Sequence, residues 1–90
     1  MLRKYILVSG RVQGVGFRYH IMNLALEYHL TGWVRNLNNG AVEMEIQGES
    51  DALEQFIQNM DSGTHWIRID HCSVTEVSII LEETAFRIRS

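Results

Sequence analysis

The chain contains no proline and a single cysteine, Cys72. Without proline there is no cis-proline turn and no proline-rich linker to consider. One cysteine cannot close an internal disulfide, and nothing in the sequence calls for an oxidising compartment. Positive charge is also scarce, because eight Lys plus Arg face eleven Asp plus Glu for a formal net charge of −3. A protein that grips nucleic acid by its backbone carries a positive excess, so no nucleic-acid partner is expected. Met1-Leu2-Arg3-Lys4 lead straight into a strand, with no long apolar region behind them. No signal peptide, no membrane span and a cytoplasmic location are therefore expected.

What is present suits one small folded domain. Ninety residues, 46% of them hydrophobic, can fill a two-layer core but not a cofactor domain plus a substrate domain. No change of composition, low-complexity tract or repeat marks a linker, so residues 1–90 are read as one domain.

Tyr5-Ile6-Leu7-Val8 is apolar throughout, as in a strand near the centre of a sheet. A glycine-rich turn follows, then a helix from about Arg18 to His29 with Phe17, Ile21, Leu24, Ala25 and Tyr28 on one stripe. Thr31 to Leu37 and Ala41 to Gln47 read as strands joined through Asn38-Asn39-Gly40, a strong hairpin signal. The second of these alternates Val42, Met44 and Ile46 with Glu43, Glu45 and Gln47, which predicts one buried and one wet face.

Ser50 is the expected N-cap of a second helix carrying Leu53, Phe56, Ile57 and Met60, closed by Asp61-Ser62-Gly63. A loop from Thr64 to Asp70 and a strand from about His71 to Leu81 follow. That strand needs a bulge near Thr75-Glu76 to reconcile its two apolar phases. Phe86-Arg87-Ile88 can add a short fifth strand. The order is βαββαβ: an α+β sandwich with both helices on one face of a mainly antiparallel sheet.

The run Gly10-Arg11-Val12-Gln13-Gly14-Val15-Gly16-Phe17-Arg18 carries the chemistry. Its glycines allow positive φ, which turns several N–H groups toward one point, and the following helix start adds free N–H groups. The run lacks the Gly-Lys-Ser/Thr end of the Walker A loop, and Tyr19 stands where the dinucleotide fingerprint needs its third glycine. Glycine content alone would fit a tight turn. Arg18 raises the loop above that, because an arginine opposes the helix dipole unless an anion lies between them. Guanidinium also matches phosphate bidentately.

Other residues carry weaker signals. His20, His29, His65 and His71 lack ligand spacing and read as surface histidines, so no metal is expected. Cys72 reads as a small core or edge residue, and Glu43 with Glu45 as a wet strand face. Trp33 and Trp66 fit either an acyl pocket or ordinary packing.

The run from Gly10 to Arg18 closely resembles a signature of the acylphosphatases. Gly32-Trp33-Val34-Arg35-Asn36-Leu37, followed by Asn38-Asn39-Gly40, resembles that family's other signature, at matching spacing. The resemblance implies a ferredoxin-like α/β sandwich and metal-independent, cofactor-free hydrolysis of a small-molecule acyl phosphate. Inorganic phosphate is then both product and inhibitor, and a monomer is expected. Gln13, Gly14, Val15, Gly16, Phe17 and Arg18 are implied to hold the phosphate, with the Arg18 side chain as clamp. Asn36 is implied to hold the attacking water. The chain departs from the family pattern at Gly63-Thr64-His65-Trp66-Ile67-Arg68 and at its end, Arg87-Ile88-Arg89-Ser90. Two other readings remain: a non-catalytic module that binds phosphate or carbamoyl phosphate, and an RNA-binding sheet. The negative charge and the lack of a paired aromatic platform weigh against the second.

Overall fold

The computed structural model describes residues 1–62 and 64–90, so Gly63 and its expected part in closing the second helix lie outside the described residues. The elements are β1 (Leu2–Arg11), α1 (Phe17–Glu27), β2 (Thr31–Asn36), β3 (Val42–Gly48), α2 (Ser50–Gln58), β4 (Arg68–Val77) and β5 (Phe86–Ile88). Their strands form a five-stranded sheet in the order β4-β1-β3-β2-β5. The β1–β3, β1–β4 and β2–β3 ladders are antiparallel, and β5 runs parallel to β2. This is the expected ferredoxin-like α+β sandwich, with the short fifth strand formed.

Strand alternation puts Ile6, Val8, Val34, Val42, Met44 and Ile46 on one face, where all are fully buried. The helices cover that face. Phe17, Ile21 and Ala25 recur every four residues along α1, while Leu53 and Phe56 of α2 and the following Met60 complete the core. Each large apolar side chain buried there stabilises the fold by about 1.5–3 kcal/mol. α1 stops in a turn where His29 takes a left-handed φ of 58° and Leu30 N–H returns to the Ala25 carbonyl at 2.8 Å.

The opposite face is not the wet surface predicted for β3. Glu43 is only 8% exposed and Gln47 only 3%. β3 has a strand on either side, so these polar side chains find partners across the ladder. The Tyr5 hydroxyl donates to Glu43 Oε1 (2.7 Å), and Arg35 donates to its other oxygen. Arg3 is fully buried and donates to Glu45 (2.6 Å), Gln47 (3.2 Å) and Glu83 (2.7 Å). The β4–β5 connection thus lies over this face, and Gln47 exchanges two hydrogen bonds with the Ile80 backbone (2.7 and 2.8 Å). Burial opposes the Arg3 charge, but the hydrogen bonds it donates to Glu83 and Glu45 outweigh that and raise its pKa.

Three boundaries differ from expectation. Glu49, not Ser50, is the N-cap of α2, and Ser50 is the first helical residue, because the Glu49 carbonyl accepts from Leu53 N–H at 3.0 Å. β4 begins at Arg68 and ends at Val77, so Ile79 and Leu81 lie beyond it. Their change of phase marks the strand's end and not a bulge at Thr75-Glu76. The register shift falls at Asp70 instead, where Ser9 pairs with His71 but Gly10 with Ile69.

Two outcomes test this buried polar face. Arg3→Met is expected to lower the unfolding free energy by about 3 kcal/mol in urea titrations, since two carboxylates lose their shared cation. The hydrogen bond from Tyr5, with Arg35 beside it, outweighs burial and holds Glu43 below the usual carboxylate range. A depressed carboxyl contributes stability above its unfolded value of about 4.3, and that stability disappears as pH falls through the folded value. The destabilisation caused by Tyr5→Phe is therefore expected to be largest near neutrality and to shrink in acid, measured by urea unfolding across that range.

Candidate active site

β1 and β2 each run antiparallel to β3, so they are parallel to one another and end at the same edge of the sheet. Val42 is the register partner of both Val8 and Asn36, which leaves those two residues two strand spacings, about 10 Å, apart. The turn after β1 and the turn after β2 therefore face one another. Asn36, being even-numbered like Val34, points to the face that the helices cover.

The first turn is pinned at both ends. Val12 and Phe17 are 1% exposed and belong to the core, so residues 13–16 must arch between two fixed anchors. Gly14 and Gly16 take φ of 74° and 76°, while Val15 between them does not, and this alternation of hand turns successive N–H groups toward one side. Gly16 is also the N-cap of α1. No acidic residue occupies the first turn of that helix, where a carboxylate would ordinarily satisfy the dipole. Arg18 stands there instead. Among the described residues it has no carboxylate within ion-pair distance, unlike Arg3, Arg35 and Arg68.

Val12, Gln13, Gly14, Gly16, Phe17, Arg18, Tyr19 and Asn36 line a cavity of about 190 Å³. The structure thus brings Arg18 and Asn36 together with most of the expected loop. Val15 does not line the cavity and packs against the core, so its side chain has no place in the site. Asn36 Oδ1 is buried without a hydrogen-bond partner among the described residues. An amide oxygen in that position can accept a hydrogen bond from a donor such as water. Asn36 also lines a second cavity of about 290 Å³ with Arg35, Leu37, Asn38 and Ser90.

The Gln13 side chain is a feature that sequence reasoning missed. Its amide nitrogen donates to the Leu37 and Ala41 carbonyls, each at 2.8 Å, and so ties the loop to the β2–β3 hairpin. No local pattern in the sequence announces a contact spanning 24 and 28 residues.

The remaining candidates fall elsewhere. Trp33 lies on the polar face with Arg89 4.7 Å from its ring centroid, and Trp66 is 67% exposed; neither lines the cavity. Cys72 is exposed on edge strand β4. His29, His65 and His71 are exposed as expected, but His20 is not a plain surface residue. One helical turn after Phe17, with ring centroids 6.5 Å apart, it has a buried Nε2 with no hydrogen-bond partner among the described residues. Among the described residues no three histidine, cysteine or carboxylate side chains are grouped to hold a metal ion, and none of the helices there is long and apolar enough to cross a membrane.

Comparison with known proteins adds an independent line. Residues 4–88 match the family model described as acylphosphatase. The acylphosphatase of Geobacillus kaustophilus is 42% identical over 88 residues, covering 98% of this chain and 94% of that one. The crystal structure of acylphosphatase from Bacillus subtilis matches with a TM-score of 0.93 at 38% identity, over the whole of both chains. An acylphosphatase structure from Coxiella burnetii matches with a TM-score of 0.90 at 33% identity, over 98% of this chain and 92% of that one.

The loop geometry predicts how Gly16 responds to substitution. A β-carbon there would meet nothing within 4 Å, so only the left-handed backbone resists it. Gly16→Ala is expected to cost about 1–2 kcal/mol in urea unfolding and to weaken phosphate binding in a calorimetric titration, as the backbone relaxes from its arch.

Proposed function

Because the chain belongs to the acylphosphatase family, we infer that its hydrolysis of acyl phosphates is carried by the 13–18 loop, Arg18 and Asn36. The observation that carries this assignment is one cavity lined both by Arg18 at a helix N-terminus and by Asn36. Among the described residues the Arg18 guanidinium has no carboxylate partner and the buried Asn36 amide oxygen no hydrogen-bond partner.

An acyl phosphate is a mixed anhydride with a carboxylate as leaving group, so positioning and charge stabilisation matter more than strong acid–base chemistry. Backbone N–H groups of the loop and the Arg18 guanidinium hold the phosphoryl oxygens, over which charge spreads in a loose transition state. Water donates one hydrogen bond to Asn36 Oδ1, which directs its oxygen at phosphorus. The water oxygen–phosphorus bond forms as the bond from phosphorus to the acyl oxygen breaks. The carboxylate departs with that electron pair. A neutral amide is too weak a base to take the water's proton, so a phosphoryl oxygen of the substrate receives it. The product is inorganic phosphate, which the same groups hold until release.

The experiment is hydrolysis of a simple aryl acyl phosphate, with inorganic phosphate as competitor. Arg18→Ala is expected to abolish turnover and to weaken phosphate inhibition by about tenfold to a hundredfold, the value of one charge-assisted hydrogen bond. Asn36→Ala is expected to lose about a hundredfold or more in kcat while phosphate inhibition persists. A wild type that binds phosphate without turnover would point to a binding module. A rate profile requiring an enzyme base near neutrality would overturn the proton route.

A further inference from the structure

We propose that Gln13 is a positioning residue for hydrolysis: its side chain sets the distance between the anion loop and Asn36. The inference rests on the roles assigned above to that loop and to Asn36. The two parts of the site lie on separate turns, and their separation decides whether water held by Asn36 meets a phosphorus held by the loop. Strand pairing fixes Asn36 only at its own position, opposite Val42. Beyond it the chain leaves the ladder for the five residues 37–41, closed by Leu37 N–H to the Ala41 carbonyl (2.8 Å) and by Gly40 N–H to the Leu37 carbonyl (3.3 Å).

Gln13 completes that closure from the other side of the cavity. Its two amide hydrogens serve the Leu37 and Ala41 carbonyls, both at 2.8 Å. Each of those carbonyls already accepts one backbone hydrogen bond, and Gln13 fills its second acceptor site. Gln13 therefore joins the site twice, through its backbone to the arch and through its side chain to the base of the hairpin. Glutamine has the one side chain that presents two donors at that reach without adding charge. Glutamate would place a carboxylate against two carbonyls, and methionine would keep the length with no donor at all. Displacement of a reacting group by about 1 Å lowers a rate by about a hundredfold, so a loosened hairpin would be felt in kcat. Phosphate binding would be spared, because the arch is anchored independently by buried Val12 and Phe17.

The test compares wild type, Gln13→Met and Gln13→Glu in steady-state hydrolysis of an aryl acyl phosphate, with inorganic phosphate as competitive inhibitor. Both variants are expected to lose about tenfold to a hundredfold in kcat, with phosphate inhibition within about threefold of wild type. In nuclear magnetic resonance spectra the Asn36 side-chain amide signal should move, while the phosphate-induced shifts of the Gly14–Phe17 amides persist. The proposal fails if kcat stays within about twofold of wild type. A parallel loss of turnover and phosphate inhibition also overturns it, since Gln13 would then serve only the arch. Failure of both variants to fold, read by circular dichroism, would make the residue a structural staple and likewise overturn it. A wild type that binds phosphate but does not turn over sinks the functional reading instead, and the Asn36 signal still reports whether Gln13 positions it.

Discussion

The site depends on one topological constraint: two parallel strands end at the same edge of the sheet with a single strand between them. β3 pairs with both β1 and β2, so its hydrogen bonds hold the anion loop and Asn36 in one frame. Catalysis by fixed dipoles needs such a frame, because groups that must reorganise as charge develops return much of their advantage. The loop contributes its own rigidity through Val12 and Phe17, whose burial leaves the residues between them few other paths.

The charge arrangement follows from the same frame. The chain is acidic overall, yet its cations are not spread evenly among partners. Arg3, Arg35 and Arg68 are matched to carboxylates, two of them across the polar face of the sheet. Arg18 meets no carboxylate among the described residues, at a helix start whose dipole also favours negative charge and whose first turn holds no acidic residue. An arginine and a helix start repel each other until an anion joins them. The same geometry, unfavourable alone, is the one the proposed phosphate site would use.

Much of this was legible in the sequence, for identifiable reasons. Glycine at positions 14 and 16 reports a backbone that other residues resist, and Asn38-Asn39-Gly40 reports a hairpin, so both turns could be placed. Arg18 stood out because its local context was wrong for it. Asn36 is different: nothing local marks it out within its strand, and only the family signature distinguishes it. What could not be read were contacts made by sheet assembly. Glu43 and Gln47 alternate like solvent-facing residues, and only the partners Tyr5, Arg35 and the Ile80 backbone turn their face inward. The end of β4 was misplaced for a related reason. Ile79 and Leu81 look like strand residues, although the ladder with β1 stops at Val77.

The buried Arg3 also bears on the order in which the molecule can form. Its carboxylate partner Glu83 is 80 residues away, and the strand that carries Arg3 takes one neighbour from the middle of the chain and another from its last third. A nascent chain that has released β1, α1, β2 and β3 has both turns, and Arg3 can reach Glu45 and Gln47 but not Glu83. Closure waits for the segment after β4. Contacts this distant in sequence carry a large loop-closure cost and slow the search for the native state. The residue that locks the polar face therefore ties completion of that face to the segment that follows β4.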